Sequence, residues 1–190
     1  MTLVFIGCGI WAACCWSELL LIQKLVMGMF AFMIVHEYEE TMSKPNLIDL
    51  ITRITGLDTQ SLTPGKSHLA QTVFIVALFV SALSFPNHMW LVLPVFILGI
   101  FEGFVHTMGA FIFRLGKPSP GWYTGILMCA YSIRALVVIN RNIEYTGIQW
   151  LYAVLLFAGG FALLELWFHH LIGSSLPFFA RKMRAYVFEK

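Results

Sequence analysis

The sequence predicts an all-α integral membrane bundle with five core transmembrane helices, preceded by an apolar segment that is either a sixth span or an interfacial helix. Two observations carry this. Of the 190 residues, 59% are hydrophobic and 12% charged, and the mean hydropathy is +0.80, outside the range of soluble globular domains. The apolar residues are also gathered into runs of about 20, the length that crosses a bilayer as a helix, and the breaks between runs are rich in Pro, Gly, Asn and charge. Residues 1–190 therefore read as one transmembrane domain. A net charge of +2, with the basic residues in loops and at the C-terminus, sets nucleic-acid binding aside.

Residues 3–22 open the chain. "MTLVFIGCGIWAACCW" has no basic leading region and no small-residue cleavage site, so it is expected to be retained. Glu18 interrupts this run and Gln23-Lys24 leaves little room for a hairpin, which keeps both placements open. The first core span is 25–43. Residues 45–66 form an interfacial loop whose start is amphipathic, with Leu47, Ile48, Ile51 and Ile54 set against Asp49, Thr52 and Arg53. The remaining spans are 67–85, 90–113, 121–140 and 148–172, ended by "FPNH", "RLGKPSPG" and "RNIEYTG", with 173–190 as a tail. Trp90, Trp122 and Trp150 stand near span starts, where indoles anchor at the interface. Cys8, Cys14, Cys15 and Cys129 lie in apolar segments without a C-x-x-C spacing and read as packing residues.

Basic residues mark the cytoplasmic side. With five spans one side receives Lys44, Arg53, Lys66, Arg114, Lys117, Arg181, Lys182, Arg184 and Lys190, and the other Arg141 and Lys24. The expectation is a multi-pass protein of the inner (cytoplasmic) membrane with its C-terminus inside.

Charges inside these spans need a reason, because each costs about 2.5–3.5 kcal/mol near the bilayer centre. "HEYEE" at 36–40 concentrates His36, Glu37, Glu39 and Glu40 in five positions. Glu102 precedes His106 by four residues in "FEGFVH", and Glu165 precedes His169 by four in "LELWFHH". Residues three or four apart share a helix face, so three spans running in the same direction each carry a His and a Glu on one stripe. His36 lies eight residues before Lys44 and His106 eight before Arg114, about 12 Å in each case. His169 is expected at a similar depth. Glu and His at this spacing on facing helices suit a divalent metal, zinc or iron, as one ion or two. The expected ligands are His36, Glu39, Glu40, Glu102, His106, Glu165 and His169. Gly99 and Gly103 read as a close helix contact. Thr124 and Tyr131 read as packing residues able to donate to the site.

"HEYEE" resembles the signature of the bacterial membrane-protein family named for its H-x-x-E-E motif, and "FVHTMGAF…KPSPGWYTG" is similar to that family's His segment followed by Pro-Gly-x-x-Thr. The resemblance spans about 25–172 and implies no established reaction. A looser similarity is to intramembrane glutamate proteases related to CAAX processing enzymes. It implies Glu39, Glu40 and Lys44 for the E-E-x-x-x-R motif, His106 for the second and His169 or His170 for the third. Here Lys replaces Arg, and Glu102 stands where that family has Phe.

The expected function is a metal-dependent membrane enzyme, a hydrolase acting on a lipid or other membrane-embedded substrate, with Glu39 or Glu40 as catalytic base. Di-iron lipid hydroxylation or desaturation, a metal-free glutamate peptidase and a small proton-coupled or metal transporter stand as alternatives.

Overall fold

In the computed structural model, residues 7, 9–10, 13–43, 45–56, 68–112 and 118–188 are described. Much of the 3–22 segment, all of 57–66, and Lys44, Arg114, Lys117 and Lys190 lie outside them. The described residues contain helices and no strand: α1 Leu21–Met42, α2 Leu47–Thr55, α3 Leu69–Ser84, α4 Met89–Ile112, α5 Trp122–Asn142, α6 Gly147–Leu171 and α7 Leu176–Phe188.

Four of these, α1, α4, α5 and α6, are long and apolar enough to span a membrane. The chain is a helical membrane bundle. The apolar α3 has 16 residues, about 24 Å of helix, which is shorter than the roughly 30 Å of a bilayer's hydrocarbon. α1 starts where Gln23 turns back on the chain: its Oε1 accepts from the Leu20 N–H at 3.0 Å, and its Nε2 donates to the Leu83 carbonyl at the end of α3, also at 3.0 Å. α2 starts on a reciprocal cap, with Asn46 Oδ1 accepting from the Asp49 N–H at 2.9 Å and Asp49 Oδ2 from the Asn46 N–H at 3.0 Å.

α4 is the centre of the bundle and packs against α1, α3, α5 and α6. Its Val92, Leu93, Val95 and Phe96 are fully buried, together with Met29 and Met33 of α1 and Met128 and Ile139 of α5. The α4–α5 seam is the tightest. A Cβ on Gly103 would lie 2.6 Å from Cys129 Cβ and 2.8 Å from the Gly125 carbonyl oxygen, so glycine there lets the two backbones meet. α1 is tied to α5 by Tyr131, whose hydroxyl donates to the Leu25 carbonyl at 2.9 Å and whose ring covers Gly28. α6 is the outer helix: Ala153, Phe157 and His169 are its buried residues.

Alternation of the chain puts the ends of α1, α4 and α6 and the starts of α3 and α5 at one end of the bundle. The amphipathic α2 and the basic α7 pack together there.

Candidate metal centre

Helical periodicity separates the ionisable residues of α1. Successive residues turn by about 100°, so Glu40 and Glu39 flank His36 on opposite sides and face different neighbours. Glu40 turns to α4. Its Oε1 lies 3.2 Å from His106 Nε2 and 4.0 Å from His36 Nε2. Glu102 comes from α4 to the same place, with Oε2 3.2 Å from His106 Nε2 and 3.6 Å from His36 Nε2. The two imidazoles meet edge to face with centroids 4.9 Å apart. His36, Glu40 and His106 are buried, and one ligating atom from each lies within 4.8 Å of the others, so this group is able to hold a metal ion. His36 Nε2 and Glu40 Oε2 are buried with no hydrogen-bond partner, a costly condition for polar atoms inside a protein.

Glu39 goes to the other side. It accepts from the Thr124 N–H at 2.9 Å, the Tyr123 N–H at 3.3 Å and the Thr124 hydroxyl at 2.6 Å, supplying from another helix the cap that Gly121 lacks at the start of α5. This fixes the chemistry of His36. Thr124 Oγ1 carries one proton, and that proton is donated to Glu39. The 2.9 Å contact between Thr124 Oγ1 and His36 Nδ1 is therefore an Nδ1–H donating to the hydroxyl. In the neutral ring, Nε2 then presents a bare lone pair towards two carboxylates, an arrangement that a cation relieves. Metal-binding histidines are oriented in this way by the partner of their second nitrogen.

The loop before α5 closes the site. Gly121 has φ +77° and sits against both rings: a Cβ there would be 2.8 Å from Cε1 of His36, 2.8 Å from Cε1 of His106 and 3.0 Å from Glu40 Cγ. The Ser119 hydroxyl donates to the His106 carbonyl at 2.8 Å. Glu37, 6% exposed, accepts from Gln71 Nε2 of α3 at 2.8 Å.

A cavity of about 200 Å³ opens beside the cluster, with Glu40, Gln71, Glu102, His106 and Glu165 among its lining residues. Of the residues expected from the sequence, His36, Glu40, Glu102 and His106 are brought together, and Glu165 faces the shared cavity. Glu39 is held at α5. His169 is not among the lining residues; its Nε2 is 3.7 Å from Glu165, and its ring packs against Phe168 and Phe179. Ser119, Gln71 and the pairing of Glu37 carry no signal in the sequence, whereas Gly121 and Thr124 enter only through the Pro-Gly-x-x-Thr resemblance and, for Thr124, as a packing residue able to donate to the site. A Pro-Gly ahead of a span and a threonine three residues after that glycine were the available signals.

No curated protein and no solved structure matches the chain, and nothing supports the likeness to intramembrane glutamate proteases. A family described as "Protein of unknown function with HXXEE motif" matches residues 27–135, a stretch that holds His36, Glu40, Glu102, His106 and the Gly121–Thr124 turn. The chain belongs to that HXXEE family.

Proposed function

We propose that this protein is a membrane metalloenzyme that hydrolyses a lipid or other membrane-embedded substrate on the cytoplasmic side of the inner membrane. The observation that carries the reading is the buried, unpartnered His36 Nε2, which converges with Glu40 Oε1 and His106 Nε2 beside a cavity. Two imidazoles with carboxylate suit zinc or iron. His36, Glu40 and His106 hold the ion, and Thr124 with Glu39 keeps His36 in its ligating tautomer. When bound, the ion supplies Lewis acidity and an activated water at neutral pH. Glu102 lines the cavity, reaches His106 and lies outside the ligating trio, which suits it to take a proton from the attacking water and return it to the leaving group. The basic residues Arg53, Arg181, Lys182 and Arg184 of α2 and α7 stand at the same end of the bundle, which supports a cytoplasmic placement.

The test is release of fatty acid from phosphatidylethanolamine/phosphatidylglycerol vesicles containing the purified protein. Glu102→Gln is expected to lower the rate by about 10²-fold or more, the usual share of a general base, with its metal content retained. A rate unchanged by Glu102→Gln contradicts the assignment.

A further inference from the structure

The cavity has a direction. On α4 its lining runs from His106 and Glu102 through Phe101 to Leu98, eight residues or about 12 Å along the helix from the cluster towards the middle of the span. On α6 it runs from Phe168 and Glu165 to Phe161, and α3 adds Gln71, Phe74 and Ile75. The polar groups stand at the end of the bundle and the apolar walls continue inward, which is how a lipid lies in its leaflet. Val105, 39% exposed, lines the cavity on α4, and the lightly buried α6 forms the opposite wall, so the cavity can be reached sideways from the bilayer.

Aromatic rings crowd the inner part of the cavity. Phe157 is not a lining residue, yet it backs three that are: its centroid lies 5.6 Å from Phe101, 6.0 Å from Phe161 and 6.3 Å from Phe74. Phe101 and Phe161 are themselves 4.8 Å apart. Gly160 fixes where Phe74 stands, because a Cβ there would lie 2.8 Å from Phe74 Cε2.

We infer that the cavity binds a single acyl chain, tail first, with its carbonyl at the His/Glu cluster and its length limited by the Phe74, Phe101, Phe157 and Phe161 floor. This inference rests on the reading of the site as a membrane metalloenzyme and names its substrate class, an acyl lipid selected by chain length. Referred to a ligand free in water, a chain inside such walls gains about fourfold in affinity per methylene until the floor is reached.

The experiment is native mass spectrometry of the detergent-purified full chain with 1-monoacylglycerols from octanoyl to stearoyl, and with n-alkyl hydroxamates of the same lengths plus zinc. Affinity is expected to rise with length and then break. The break moves to longer chains in Phe157→Ala and to shorter ones in Gly160→Ala, where Phe74 is pushed into the cavity; Gly160→Ala serves alone if Phe157→Ala fails to fold. Affinity that climbs without a break, or a break that stays in place in the folded variants, overturns the inference. If the break appears with both head groups but zinc gives hydroxamates no advantage, the acyl pocket stands and the metal reading falls.

Discussion

At Thr124 a single hydroxyl decides the state of His36, because it donates to Glu39 and must therefore accept from Nδ1. Thr124→Val keeps the shape and removes the relay, and it is expected to weaken metal affinity by about 10–100-fold, the usual cost of losing a partner behind a ligating histidine. Thr124→Ser is expected to retain affinity near that of the parent. A zinc titration against a competing chelator compares them, and equal affinities for parent and Val variant would remove the relay from the account. Gly121 makes a second demand on its residue, with a left-handed backbone and two imidazole edges where a side chain would begin. Gly121→Ala is expected to cost about 1–3 kcal/mol from backbone strain and to displace His36 or His106, read as a lower unfolding midpoint together with loss of metal. The i, i+4 spacing made His36, Glu40, Glu102 and His106 legible in the sequence. The divergence of Glu39 was not, since choosing which side of His36 meets α4 requires the packing of the helices.

Helix by helix, hydropathy is informative for α1, α4, α5 and α6 because a span announces itself through its own composition, as the amphipathic α2 also does; the Asn46–Asp49 cap of α2 comes from the structure. The contacts between helices were less legible. Gly99 and Gly103 suggested a close approach, and Gly103 does meet α5 at Cys129 and Gly125; Gly125, which makes the seam mutual, carried no separate signal. Gly103→Val is expected to destabilise the bundle by about 1–3 kcal/mol through overpacking and to shift Glu102 and His106 from α1. Unfolding in mixed micelles checks the first effect and metal content the second. Parent-like values in both would show that the seam tolerates separation.

Across the molecule, the polar cluster stands at one end of the bundle together with α2, α7 and the loop that carries Gly121. In the orientation we propose from the Lys and Arg distribution, that end faces the cytoplasm. A fluorescent-protein fusion at the C-terminus is expected to be bright and an alkaline phosphatase fusion inactive, and the reverse pattern would place the site on the opposite face. His169 shows the limit of matching depths along separate helices: α6 sits at the outside of the bundle, so its histidine packs on Phe168 and Phe179 while Glu165 reaches the cavity. The central claim is that His36, Glu40 and His106 hold an ion. Elemental analysis of protein purified gently in detergent without chelators, beside a folded His36→Ala/His106→Ala variant, tests it most directly. Near-stoichiometric zinc or iron in the parent, lost in the variant, is the expected result; a folded parent free of metal, or equal metal in both proteins, would contradict the account.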